Sequence, residues 1–187
     1  MGAELNAYFY IAWAVGSVLI MIPNATATSL FAEGSHEEEK LGLNIWRSLK
    51  MTLLILVPAV ILVSAIADKL LFLFGSAYSE NATTLLRILA ISTLPLAINI
   101  VYLNIKRVEK RLRVIVGLTA LVAVVTLGLA YPLLLRMGIN GVGIAWLASQ
   151  GIVALVIVTS WLWKSRHSIK TFKVKVTARA GGDIHHE

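Results

Sequence analysis

Long stretches of this chain carry no charged side chain, and polar residues are thinly spaced within them. One such run lies between Glu4 and Glu33; a second, Met51–Ala67, resumes after Asp68-Lys69 with Leu70-Leu71-Phe72-Leu73-Phe74. A third follows Arg87 from Ile88 to Ile105, a fourth is Val114–Leu135, and a fifth is Met137–Trp163. A charge at the centre of a bilayer costs about 3 kcal/mol or more, so runs of this kind mark hydrocarbon. About 20 apolar residues in a helix cross a 30 Å core. The pattern therefore predicts an all-α integral membrane protein with five transmembrane helices, near 8–31, 51–74, 84–105, 114–135 and 139–163, followed by a basic tail over 164–187. Helices are required because backbone polar groups in lipid must be satisfied within the segment, and no alternating ten-residue barrel pattern is present.

Composition agrees: of 187 residues, 58% are apolar and 14% charged, against about 25% charged in a soluble domain. Charge then supplies an orientation. The first connection holds Lys40, Arg47 and Lys50, the third Lys106, Arg107, Lys110, Arg111 and Arg113, and the tail Lys164, Arg166, Lys170, Lys173, Lys175 and Arg179. Only Lys69, Arg87 and Arg136 remain for the other side. Basic loops stay in the cytoplasm, which predicts a multi-pass protein of the cytoplasmic membrane with its N-terminus outside and its C-terminus inside. The net charge of +7 then meets anionic membrane lipids rather than nucleic acid. The opening is unusual for that topology, since Met1 leads almost at once into an inward-running helix without a basic region or a signal-cleavage site.

Four prolines, Pro23, Pro58, Pro95 and Pro132, sit in four different spans; kinked helices of this kind fit a transporter and are also simply common in membranes. At 100° per residue Tyr10, Ser17, Asn24 and Thr28 fall in one arc of the first span. Ser92, Asn99 and Tyr102 do so in the third with Arg87 at the edge, and Gly143, Trp146 and Gln150 stack in the fifth. Two readings stay open: these stripes line a polar cavity between spans one, three and five, or they bond across helices as packing contacts. The substrate-cavity candidates are Ser17, Asn24, Thr28, Arg87, Ser92, Asn99 and Gln150. Arg87 could equally snorkel to the headgroups or meet an anionic group of a substrate.

The chemistry missing from the spans is equally informative. There are no cysteines, and the ten acidic residues all lie in loops, tails or at span edges. The four histidines, His36, His167, His185 and His186, lie outside the spans. No carboxylate is left in mid-membrane to carry a proton or sodium, and neither a catalytic site, a metal centre nor a cofactor site can be assembled. The protein is expected not to be an enzyme.

Leu70-Leu71-Phe72-Leu73-Phe74-Gly75-Ser76-Ala77-Tyr78, followed by Ala82-Thr83-Thr84-Leu85-Leu86-Arg87-Ile88-Leu89-Ala90, resembles a stretch of the polysaccharide and O-antigen flippases, within the multidrug/oligosaccharidyl-lipid/polysaccharide exporter superfamily. Ile22-Pro23-Asn24-Ala25-Thr26-Ala27-Thr28-Ser29-Leu30-Phe31 is similar to their helix that leads into a first cytoplasmic loop. Met137-Gly138-Ile139-Asn140-Gly141-Val142-Gly143-Ile144-Ala145 is similar to the start of a lobe's last helix. Ala32 stands where such proteins often have proline. The resemblance implies two six-helix lobes facing across a cavity and alternating access that turns over a lipid-linked saccharide. Five spans would then be the later part of a carboxyl-terminal lobe, with the amino-terminal lobe missing or on a separate chain. The rival readings are a lobe of a cation-coupled drug exporter and a non-transporting subunit of a glycan-assembly complex.

The charge asymmetry can be tested directly. Because the chain has no cysteine, single cysteines at Ser48, Ser76 and Ser168 can be probed with an impermeant thiol reagent on intact cells. Ser76→Cys is expected to label and the other two not; the reverse pattern would overturn the topology.

Overall fold

The computed structural model describes residues 2–34 and 41–182, with side chains described for 2–29 and 47–161. Residues 35–40 of the first predicted connection, residues 183–187, and the side chains of the predicted basic tail lie outside the described residues. Six helices follow in order: α1 (Ala3–Gly34), α2 (Leu41–Ala65), α3 (Ala67–Phe72), α4 (Ser76–Val108), α5 (Leu112–Met137) and α6 (Ile139–Gly182). Among the described residues five helical segments are long and apolar enough to cross a membrane: Ala3–Ser29, Arg47–Ala65, Ser76–Val108, Leu112–Met137 and Ile139–Trp161. The all-α membrane fold expected from the uncharged runs is the fold observed. Pro23, Pro58, Pro95 and Pro132 lie inside α1, α2, α4 and α5.

Two compact units are distinguished, Met1–Ala154 and Leu155–Glu187. The second is the later part of α6, where the hydroxyls of Thr159 and Ser160 donate to carbonyls one turn back, at Leu155 and Val156. The first unit is built around α4, which packs on α1, α2, α3 and α5. Its buried positions include Ala82, Leu85, Leu86, Leu89, Ala90, Ala97 and Val101. One cluster joins Leu85, Leu86 and Leu89 to Ala12 of α1, Ala67 and Leu71 of α3, and Ile139 at the start of α6. A second joins Ala90 and Ala97 to Leu19 of α1 and to Leu56 and Val60 of α2. By contrast α5 has no buried residue and presents Val116, Val124, Leu127, Tyr131 and Leu135 outward, as a lipid-facing helix must.

In lipid there is little hydrophobic drive between helices, so close backbone approach at small residues does the packing. Gly16 of α1 lies so near α4 that a Cβ there would stand 3.3 Å from the Leu89 Cβ. Gly143 of α6 approaches α4 more tightly still, and its Cβ would meet the Leu85 Cδ1 at 2.7 Å. The turn from α5 to α6 passes through Gly138 at φ 61°, ψ −142°, where an L side chain is strained. At Gly141 an added Cβ would fall on the Leu133 carbonyl.

The predicted 51–74 segment is divided. Between α2 and α3 the chain bends at Ile66, with φ −104° and ψ 13°. The Ser64 carbonyl at this bend accepts a hydrogen bond from Arg87 Nε at 3.0 Å, a side chain inserted where the ladder of backbone bonds is interrupted. The uncharged run alone could not locate that bend, because the group that stabilises it comes from α4.

Gly141→Ala is expected to cost about 1–3 kcal/mol through overpacking against backbone that cannot give way, seen as a lower midpoint of thermal unfolding in detergent. Gly151→Ala, where a Cβ meets nothing within 4 Å, should leave that midpoint unchanged or slightly raised. Equal behaviour of the two would show that the α5–α6 turn is not as tight as described.

Candidate functional site

Helical spacing brings Trp13, Gly16, Ser17 and Ile20 to one face of α1, and Leu89 and Ser92 to one face of α4. With Trp146 of α6 they line a crevice of about 200 Å3, counting its open mouth. Trp13 and Trp146 meet edge to face, with ring centroids 5.2 Å apart and planes at 72°, and Phe9 stacks on Trp13 at 5.9 Å. The two serines are committed as donors: Ser17 Oγ gives its proton to the Ala14 carbonyl and Ser92 Oγ to the Leu89 carbonyl, each at 2.7 Å. Back-bonding of this kind satisfies the O–H on its own helix. The oxygen lone pairs remain available as acceptors.

Asn99 of α4 and Gln150 of α6 form the most buried polar contact, each about 2% exposed. Asn99 Nδ2 donates to Gln150 Oε1 at 2.8 Å and to the Gln150 carbonyl at 3.1 Å, while Asn99 Oδ1 is buried without a partner. One position earlier on α6, Ser149 Oγ accepts from Thr126 of α5 at 2.8 Å and donates to the Trp146 carbonyl at 2.8 Å. Across the α1–α2 contact the hydroxyls of Thr26 and Thr52 bond each other at 2.7 Å.

The sequence-selected residues do not converge on one cavity. Ser17 and Ser92 share the crevice, and Asn99 and Gln150 bind each other. Asn24 and Thr28 are exposed on α1, with Thr28 Oγ1 donating to the Asn24 carbonyl at 2.8 Å. Arg87 is turned toward the α2–α3 bend, with its Nε on Ser64. Trp13 was not among the stripe residues, although its spacing to Ser17 and Ile20 places it on their face. Thr52 and Thr126 lie on the two spans poorest in polar groups, and each is matched by a hydroxyl on a neighbouring helix. Only the packing reveals those pairs.

The buried polar side chains among the described residues are Thr52, Ser92, Thr93, Asn99, Ser149 and Gln150, all uncharged. No group of three or more His, Asp or Glu able to hold a metal occurs among the described residues. A protein-family model described as MatE matches residues 4–132, from the start of α1 to Pro132 of α5. No curated protein and no solved structure gives a detectable match.

The Asn99–Gln150 contact is open to measurement. Asn99→Ala, Gln150→Ala and the double variant, unfolded in bicelles, are expected to show a coupling of about 0.6–2 kcal/mol, the range for side-chain hydrogen bonds between membrane helices. Additive losses would mean that the two amides are not bonded in the membrane.

Proposed function

This chain belongs to the MatE family of membrane transporters, within the multidrug/oligosaccharidyl-lipid/polysaccharide exporter superfamily, and is a multi-pass membrane protein; on that premise we propose that its cargo is a lipid-linked oligosaccharide or polysaccharide precursor. The precursor is turned over across the cytoplasmic membrane by alternating access, in concert with a second lobe in the same or another polypeptide. The family accommodates drugs equally well. What favours a saccharide is that the buried polar side chains of the described helices are hydroxyls and carboxamides without ionised groups. A neutral, hydroxyl-rich cargo is matched by neutral donors and acceptors, whereas a cationic cargo or a coupling ion is best matched by a carboxylate.

In this reading Ser17 and Ser92 accept hydrogen bonds from the saccharide, the Asn99–Gln150 pair ties α4 to α6, and Asn24 and Thr28 extend the polar surface along α1. The polyprenyl tail stays in lipid beside the bundle, and the basic connections rest on anionic headgroups of the cytoplasmic leaflet. Arg87 uses Nε on Ser64, and its Nη groups meet the pyrophosphate, a forked geometry that lysine reproduces poorly.

The test is flipping in proteoliposomes that hold the complete transporter, with a fluorescent lipid-linked saccharide and, separately, a cationic dye as cargo. The saccharide is expected to move and the dye not; movement of the dye alone would overturn the proposal. Arg87→Lys should slow flipping several-fold with insertion and abundance intact, and Arg87→Ala by about tenfold or more, the scale of a charge-assisted hydrogen bond. A normal rate in Arg87→Lys would remove the phosphate role from this arginine.

A further inference from the structure

The crevice between α1, α4 and α6 has a chemistry that narrows what it can receive. Its walls are two indoles, Ile20 and Leu89, and its only polar side-chain groups besides the indole N–H are the hydroxyls of Ser17 and Ser92. Both hydroxyl protons are spent on carbonyls of α1 and α4, so toward the crevice these serines can only accept. No charged side chain lines the space. The site thus combines aromatic surface with acceptors for O–H.

A sugar ring carries that complement. Its axial C–H groups form an apolar face with slight positive charge, which settles on the negative face of an aromatic ring, and its rim carries hydroxyls that both donate and accept. A quaternary ammonium or phosphonium ion would also be drawn to indole faces. It has no proton to give the serines. The enclosed part of the crevice has room for about one water molecule, so the ring itself must lie across the mouth while one of its hydroxyls reaches in.

We propose that the corner formed by Trp13 and Trp146 holds a single neutral pyranose ring, stacked on one indole and bordered by the other, with one hydroxyl of the ring inserted between Ser17 and Ser92. This rests on the saccharide reading above and deepens it by naming the part of the precursor that this face of the lobe holds: a sugar unit, distinct from the pyrophosphate and the lipid.

The experiment uses the full chain in lipid nanodiscs, with Trp46, Trp161 and Trp163 changed to Phe so that Trp13 and Trp146 carry the fluorescence. Three probes are titrated: polyprenyl-pyrophosphoryl N-acetylglucosamine, polyprenyl pyrophosphate without a sugar, and tetraphenylphosphonium. Emission is expected to change with the first probe only. Ser92→Ala, which removes an acceptor and little volume, should weaken that response about fivefold to tenfold while leaving the thermal midpoint in place; Ser17→Ala should act in the same direction. An equal response to polyprenyl pyrophosphate, no response to any probe, or an unaltered response in both serine variants would overturn the sugar platform; continued flipping of lipid-linked saccharide by the complete transporter would show that the cargo reading survives that result. A response to tetraphenylphosphonium alone, together with dye movement in proteoliposomes, would overturn both.

Discussion

A chain that lives in hydrocarbon has to satisfy its backbone within each helix, and it cannot rely on water to drive those helices together. Contact between helices then depends on how closely their backbones approach, and α4 is where this constraint is met. Its leucines meet glycines or alanines from its neighbours, and its alanines meet leucines and a valine: Leu89 lies against Gly16, Leu85 against Gly143, Leu85, Leu86 and Leu89 against the cluster that holds Ala12 and Ala67, and Ala90 and Ala97 against Leu19, Leu56 and Val60. Small residues on one side and branched side chains on the other let dispersion contacts accumulate over a continuous surface. α5 has such a pairing at Leu133, which Gly141 of α6 approaches, and has no buried residue.

Polar groups follow from the same constraint. Most hydroxyls in the spans return their proton to a carbonyl three or four residues earlier, as at Ser17, Thr28, Ser92 and Thr93. That removes the cost of a bare O–H in an apolar medium without demanding a partner helix. A few do cross between helices: Thr26 with Thr52, Thr126 with Ser149, and Asn99 with Gln150. The last of these leaves Asn99 Oδ1 buried and unmatched. Arg87 obeys the same accounting, since its Nε satisfies a carbonyl at the break between α2 and α3.

This arrangement bears on transport. A lobe that moves against another needs rigid units with a small number of bends, and here the bends are local: prolines within four helices, the corner at Ile66 and the tight passage through Gly138. The crevice beside Trp13 and Trp146 opens between α1, α4 and α6 where Gly16 and Gly143 approach α4 closely, so its walls are held by helix contact rather than by loops. Neutral acceptors on rigid helices suit recognition of a hydroxylated cargo, because their positions cost little to organise when the ligand arrives.

Uncharged runs longer than a bilayer is thick were enough to establish five spans and an all-helical fold, because a charge in hydrocarbon is so costly that its absence is a direct readout of depth. The same rule kept carboxylates away from the middle of the spans. The 100° stripe logic placed Ser17 and Ser92 on faces that do share a crevice, and placed Asn99 and Gln150 on faces that do meet. It could not distinguish these from Asn24 and Thr28, which are exposed on α1, since an angular position on one helix says nothing about which neighbour lies there. Thr52 and Thr126, Trp13 as a wall of the crevice, the corner at Ile66 and the turn of Arg87 toward Ser64 all depend on a second helix arriving at a particular height and rotation. In a medium where every apolar face is equally content against lipid, that choice is made by backbone approach and by pairing of polar groups, which are properties of two helices together and are written in neither one alone.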